Sequence, residues 1–106
     1  MATGFASLTA AYILVMSASV RNNAALSRFE LDADGGTAVA NYEVHDGVIT
    51  FTHTEVPLAA RRAGVGSRLI REALETVRTL GLKVVARCSF VHDYLAKHRE
   101  FDDLIT

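Results

Sequence analysis

Hydrophobic and polar residues alternate along three successive segments in the first half of the chain, which predicts three β-strands. Segment 24–31 reads AALSRFEL and is followed by the Asp and Gly residues of a tight turn. In segment 37–44 every second residue is apolar, and segment 48–56 is rich in β-branched and aromatic residues. The only proline, Pro57, ends the third segment. We therefore predict an antiparallel meander of three strands.

The third strand carries titratable side chains among its hydrophobic ones. Alternate residues of a regular strand face the same side. One face is thus predicted to hold Ile49, Phe51, His53 and Glu55, and the other the threonines. On such a face Glu55 would be partly desolvated, which suits a general base, although a surface carboxylate paired with an arginine is an equal alternative. His53 is either a second candidate base or a packed, hydrogen-bonded histidine.

The hydrophobic period becomes helical in the second half of the chain. Apolar residues at spacings of three and four predict an amphipathic helix over 65–80, which ends at Gly81. Segment 82–86 predicts a short buried strand, and segment 90–98 a second helix. The order β-β-β-α-β-α predicts an α+β fold with helices packed on a mainly antiparallel sheet. The β-α-β crossover should place the fourth strand parallel to the third.

Composition restricts the class of protein. A chain of 106 residues with 50% hydrophobic and 22% charged residues suits one soluble globular domain. Its net charge of −1 argues against nucleic acid and against anionic membranes as partners. The single Cys88 excludes an intramolecular disulfide and is typical of a reduced, cytoplasmic setting. The four histidines include no H-x-x-x-H pair, so we predict no metal site.

The first 19 residues differ from the rest of the chain because they carry no charged side chain. They lack the basic start of an export signal and are too rich in Ser, Thr and Gly for a membrane span. We predict a poorly ordered extension over 1–19 and one domain over 20–106, with an added strand or a signal as the alternatives. The apolar extension could also serve contact with a second subunit, which leaves a homodimer open.

The charges of the domain are distributed unevenly. Residues 21–60 contain two arginines and six acidic residues, whereas residues 61–106 contain nine basic and six acidic residues. A basic segment that begins at Arg61 suits an anionic ligand there. A solvated surface of mixed charge is the simpler explanation of so small a bias.

The loop RRAGVGSRL, residues 61–69, stands between a predicted strand and a predicted helix. Such a layout directs backbone N–H groups and the positive end of the helix dipole at one spot, so the loop is either a turn or a phosphate cradle. No lysine follows Gly66, which excludes a nucleoside-triphosphate loop. A dinucleotide fingerprint would need glycine at the position of Leu69.

The pattern R-x-x-G-x-G, formed by Arg61, Gly64 and Gly66, resembles the pyrophosphate loop of the GNAT superfamily of N-acetyltransferases. With RFEL, HTEVP, CSFVHDY and FDDL, it resembles the short single-domain GNAT subfamily over about residues 20–106. The subfamily pattern has a proline where this chain has Ala86. The resemblance implies a GNAT-like fold and transfer of acetyl from acetyl-CoA to a small amine or an exposed protein amino group. A noncatalytic acyl-CoA-binding or regulatory module and an interaction domain without a ligand are the alternatives.

The resemblance also implies site residues. The pantetheine arm and pyrophosphate of CoA would be held by the end of the third strand and the glycine loop. These residues are Val56, Leu58, Arg61, Arg62, Ala63, Gly64, Val65, Gly66 and Ser67. Glu55 or His53 would deprotonate the amine, and Tyr94 would protonate the leaving thiolate. Cys88 would either carry the acetyl group transiently or shape the pocket.

Overall fold

One mixed sheet and two helices make up residues 19–106, the part of the chain that the computed structural model describes. The strands of this part are β1 (Arg21–Asn23), β2 (Arg28–Ala33), β3 (Gly36–His45), β4 (Val48–Glu55) and β5 (Lys83–Ala86). Its α-helices are α1 (Val65–Leu80) and α2 (Ser89–Lys97). Its 3-10 turns are Ala24–Leu26, Leu58–Ala63 and Arg99–Leu104. The predicted extension lies, except for Ser19, outside these residues.

The strands follow one another across the sheet in the order β1-β2-β3-β4-β5. Strands β1 to β4 pair antiparallel, whereas β4 and β5 pair parallel and are joined through α1. This arrangement confirms the predicted α+β class and the predicted β-α-β crossover. Helix α1 spans the predicted residues, and its apolar stripe is buried from Leu69 to Val77. In the described part of the chain no helix is both long enough and apolar enough to cross a membrane.

The first predicted strand was placed too early. Residues 24–26 form a 3-10 turn in which Asn23 Oδ1 accepts the Leu26 N–H at 3.3 Å, and the strand begins at Arg28. A short edge strand, β1, precedes this turn and was not predicted. The apolar residues AAL resemble the start of a strand in sequence. In the structure, the Asn23 side chain and the left-handed Ser27 (φ 52°) form a turn there.

The core lies between the helices and one face of the sheet. Phe29, Tyr42 and Phe51 form an aromatic group on that face, with ring centroids 5.3 to 6.4 Å apart. The opposite face is polar, and there Glu30 is only 4% exposed. Its carboxylate accepts hydrogen bonds from Arg21, Arg28 and Asn23, which offset the cost of its burial. These contacts fasten the edge strand β1 to β2.

A β-bulge in β4 decides which way the candidate site residues face. Asn41 pairs with His53 but Tyr42 pairs with Phe51, so Thr52 is an extra residue in the ladder. A bulge of this kind reverses the alternation of side chains beyond it. The predicted shared face of β4 was therefore wrong. Ile49 and Phe51 are buried, whereas His53 and Glu55 lie on the opposite, exposed face.

Candidate functional site

A cleft opens where β4 and β5 separate. Their parallel ladder ends at the pair Phe51 and Ala86, and the N–H groups of Arg87 and Cys88 both donate to the Phe51 carbonyl, at 2.9 and 3.2 Å. Strand β4 continues to Glu55, and no other strand in the described part of the chain pairs with it on that side. The resulting cleft has a volume of about 580 Å³, within the range of small-molecule sites. It is lined by His53, Thr54, Glu55, Val56, Arg61, Gly64, Gly66, Ser67 and Phe90.

The N-terminus of α1 forms one end of the cleft. Gly64 is the residue before the helix, with φ 74°, a conformation that side chains other than glycine rarely adopt. The first helical hydrogen bond runs from the Arg68 N–H to the Gly64 carbonyl, at 3.1 Å. The N–H groups of residues 65–67 therefore have no acceptor within the helix, and no side chain of residues 19–106 caps them. Together with the helix dipole they form a site for an anion.

Gly66 meets a different requirement from Gly64. A Cβ at this position would lie 2.7 Å from Phe90 Cζ and 3.3 Å from Val56 Cγ2, so a side chain here would displace the ring. Gly66 thus lets the first turn of α1 pack closely against the end of β4 and the start of α2. Gly64 thus permits the turn, and Gly66 permits the backbone of α1 to lie close to the Phe90 ring.

Arg61 adds a positive charge beside the helix N-terminus. Its Nε donates to the Val56 carbonyl at 3.2 Å, which holds the side chain along the cleft. Arg62 is exposed on the same 3-10 turn but does not line the cleft. Arg61 and the unpaired N–H groups of α1 therefore give this end of the cleft a positive potential.

His53 and Glu55 form the opposite wall. His53 Nε2 lies 2.8 Å from Glu55 Oε2, and the two side chains are 59% and 70% exposed. The desolvated environment expected for Glu55 is therefore absent. The pair instead offers a proton acceptor at the open, outer side of the sheet, where it is accessible from solvent.

Cys88 directly precedes α2 and is half-buried. Its thiol donates a hydrogen bond to Thr54 Oγ1 at 3.3 Å. Burial pushes the pKa of this thiol upward, but hydrogen bonding with Thr54 and with the N–H groups of Val91 and Phe90 outweighs burial. The pKa of Cys88 is therefore lowered from its ordinary value, which favours the reactive thiolate. The bulge is what turns Thr54 toward Cys88, since it pairs Thr54 with the buried Ala40.

Tyr94 does not line this cleft. It is 6% exposed, stacks on the His98 ring with centroids 3.8 Å apart, and belongs to a second cavity of about 230 Å³. Burial raises the pKa of its hydroxyl, and Glu100 adds to this effect while Arg71 opposes it. The hydroxyl therefore keeps its proton at neutral pH. Ser67 and Phe90 line both cavities, so Tyr94 is separated from the cleft by these shared walls.

Most of the predicted site residues meet at the cleft, and two of its residues were not predicted. The predicted residues outside its lining are Leu58, Arg62, Ala63, Val65, Cys88 and Tyr94. Thr54 was missed because the predicted regular alternation of side chains along β4 placed it on the outer face, away from Cys88. Phe90 was missed because a lone phenylalanine carries no chemical signal, although its 39% exposure marks it as unusual. Within residues 19–106 no three His, Cys, Asp or Glu side chains are close enough to hold a metal ion.

Comparison with known proteins adds independent information. A family model described as GCN5-related N-acetyl-transferase matches residues 28–104, which include every residue of the cleft. No curated protein sequence matches the chain. Among solved structures, the chain is similar to a GCN5-like candidate N-acetyltransferase of Staphylococcus aureus determined by NMR, with 26% identity and a TM-score of 0.63. The likeness covers 84% of this chain and 88% of that one.

Proposed function

Because this chain belongs to the GCN5-related N-acetyltransferase family, we propose that it transfers an acetyl group from acetyl-CoA to an amine. The observation that carries the proposal is the position of the α1 N-terminus at one end of a cleft formed by separating strands. A pyrophosphate bound there would receive hydrogen bonds from backbone N–H groups that have no other acceptor in the helix.

The positive charge at the donor side of the cleft supports CoA as the ligand. Backbone N–H groups of Val65, Gly66 and Ser67 are proposed to bind the pyrophosphate, with Arg61 as a charged clamp and the exposed Arg62 as a second one. Val56 and Leu58 continue from β4 along the path that the pantetheine arm would take. Ala63 and Gly64 shape the turn between them.

The acceptor side is proposed to lie at His53 and Glu55. Acetyl-CoA supplies an acetyl group activated as a thioester. An amine with a pKa of about 10 must lose a proton before it can attack that group. Glu55 is proposed to accept this proton, with His53 bound to it at 2.8 Å and able to share the charge. The backbone N–H of Val56 is proposed to stabilise the oxyanion that forms.

The CoA thiolate must take up a proton as it leaves, and we propose Tyr94 as the donor of this proton. The hydroxyl of Tyr94 makes no hydrogen bond to any residue within 19–106, and it remains protonated at neutral pH because burial raises its pKa. These properties support a donor. The proposal requires that Ser67 and Phe90, which line both cavities, let the thiolate come within hydrogen-bond reach of the hydroxyl, directly or through one water.

A covalent route through Cys88 is the alternative to direct attack by the amine. The Cys88 thiolate would attack the thioester carbonyl, a new C–S bond would form, and the C–S bond to CoA would break as the CoA thiolate takes up a proton. The amine, after losing a proton, would then attack the acetyl-cysteine carbonyl, so that a C–N bond forms, the C–S bond to Cys88 breaks and the Cys88 thiolate is released. A mass increase of one acetyl group on Cys88 after incubation with acetyl-CoA supports this route, whereas full activity of Cys88→Ala contradicts it.

Turnover and binding measured together test the proposed function. We expect release of free thiol from acetyl-CoA to depend on an added amine, and we expect calorimetry to detect CoA binding. Glu55→Gln should lower kcat at least about tenfold and leave CoA affinity unchanged, because general-base catalysis contributes about 10² to 10⁴-fold. Glu43→Gln, an exposed carboxylate on β3 outside the cleft, is the matched control. CoA binding without turnover over a broad amine panel would instead indicate a noncatalytic binding module.

A further inference from the structure

Arg87 is an exposed basic residue at the point where β4 and β5 separate. Its side chain forms no ion pair and no hydrogen bond with any residue in the described part of the chain. Most other arginines of this part are held by a carboxylate, as Arg78 is by Asp103 and Arg99 is by Asp102. The charge of Arg87 is therefore available to a ligand.

Arg87 lies on the same face of the sheet as the proposed acceptor residues. Alternate residues of its segment pack against the core, namely Val84, Ala86 and Cys88. Side chains alternate along an extended chain, so Arg87 points to the opposite, outer face. The bulge in β4 turns His53 and Glu55 to that outer face as well. Without the bulge, the cation and the proposed base would face opposite sides of the sheet.

The register of the two strands limits the distance between Arg87 and Glu55. Phe51 pairs with Ala86, and the Arg87 N–H donates to the Phe51 carbonyl at 2.9 Å, so Arg87 lies opposite Thr52. Neighbouring strands are about 4.8 Å apart, and about 10 Å of strand separates Thr52 from Glu55. The Cα atoms of Arg87 and Glu55 are therefore on the order of 11 Å apart, and more where the strands diverge. Two side chains and a ligand a few bonds long span such a distance.

We propose that Arg87 binds an anionic group of the acceptor, so that the substrate is a primary amine that also carries a carboxylate or a phosphate. The inference rests on the proposed function, because it takes the amine to lie at Glu55. A guanidinium donates two parallel hydrogen bonds to either anion. With the anion held at Arg87, the nitrogen points toward Glu55. A cation at this place also repels a second ammonium group, which disfavours polyamines as acceptors.

The other positive groups beside the cleft are assigned to the donor. Arg61 and the N–H groups in the first turn of α1 are proposed to bind the pyrophosphate of acetyl-CoA. Arg87 does not line that part of the cleft. Its charge therefore stays available after the donor has bound, on the side from which the amine would approach Glu55.

The test compares amines with and without an anionic group, at saturating acetyl-CoA. β-Alanine is paired with β-alaninamide, and 2-aminoethyl phosphate with ethanolamine, so that carboxylate and phosphate are tested separately. We expect kcat/KM to be about tenfold higher for the anionic member of at least one pair at low salt, and this preference to fall as salt is added. The pair with the larger preference identifies the anion.

Variants of Arg87 test whether this side chain is the source of the preference. Arg87→Gln should lower kcat/KM for the anionic amine to the level of its neutral partner and leave the neutral amine unchanged. Arg87→Lys should restore part of the preference, because it keeps the charge but loses the bidentate geometry. Lys83→Gln is the matched control, since it removes an exposed positive charge from the same strand about 13 Å away, and it should keep the preference.

Three results would overturn the inference while the proposed function stands. The first is equal kcat/KM for both members of each pair, and the second is a preference that persists in Arg87→Gln. The third is turnover confined to amines without an anionic group. Thiol release that depends on no amine, in these pairs or over a broad panel, would contradict the proposed function itself, and this inference would fall with it.

Discussion

Two glycines at the ends of α1 allow a controlled test of the anion site. Gly64 precedes the helix and Gly81 follows it, both with φ 74°, and a Cβ at either position would meet no atom of residues 19–106 within 4 Å. Replacement by alanine should therefore cost each variant a similar backbone strain of about 1 kcal/mol, without a steric clash. The two positions are separated by the 16 residues of the helix, or about 24 Å, and only Gly64 lines the cleft.

The two variants should differ in ligand binding although they are equally destabilised. Strain at Gly64 is relieved by rotation of the backbone that directs the N–H groups of residues 65–67 toward the cleft. A hydrogen bond to a charged group contributes about 1.5 to 3 kcal/mol, so misalignment of one such bond weakens binding about tenfold or more. Gly81→Ala relaxes at the far end of the helix and should leave CoA affinity unchanged.

Thermal unfolding and calorimetry with CoA provide the two measurements. We expect similar decreases in Tm for both variants and a weaker Kd for Gly64→Ala alone. If both variants bind CoA as the wild-type protein does, or if both lose the same affinity, the N-terminus of α1 is not the anion site and the reasoning from its free N–H groups is refuted.

Three further predictions concern single side chains. Thr54→Val should raise the pKa of Cys88 and shift the pH profile of thiol alkylation upward, and Thr54→Ser should restore it; an unchanged profile in Thr54→Val would contradict the role of the hydroxyl. Tyr94→Phe should lower kcat without changing KM for acetyl-CoA, and the reverse pattern would contradict the proton-donor assignment. Hydrogen bonding from Arg28 holds the pKa of Glu30 below its ordinary value of 4.5, so this stabilisation is present above pH 4.5 and is lost as the pH falls through the lower folded-state pKa. Glu30→Gln should therefore reduce the acid sensitivity of unfolding measured by circular dichroism, and an unchanged dependence on pH would exclude Glu30 as a source.

Local sequence signals were sufficient for the elements that depend on neighbouring residues. The stripe of α1, its end at Gly81 and the loop at Gly64 were predicted at their observed positions because helical periodicity and glycine conformation are properties of short segments. The early part of the chain was harder to predict. The side chain of Asn23 turns the backbone before Arg28, and the apolar residues between them concealed that turn.

The faces of β4 could not be predicted in this way. The sequence of a strand predicts which side chains share a face only while its pairing with the next strand is regular. The extra residue Thr52 is visible only in the pairing of β4 with β3. This single residue moves His53 and Glu55 to the outer face and brings Thr54 to Cys88. His53 and Glu55 therefore line the cleft, but they are exposed to solvent and not partly desolvated as predicted.

The sequence by itself determined the order of the elements, the α+β class, the glycine loop and the resemblance that the family match confirms. Only the tertiary structure decided that Phe90 packs over Gly66, that Tyr94 faces a separate cavity, and that Thr54 hydrogen-bonds with Cys88. The physical reason is the range of the interactions. Periodicity and turn conformation act over a few residues, whereas the cleft is built from segments that meet only after the sheet has formed and the helices have packed on it.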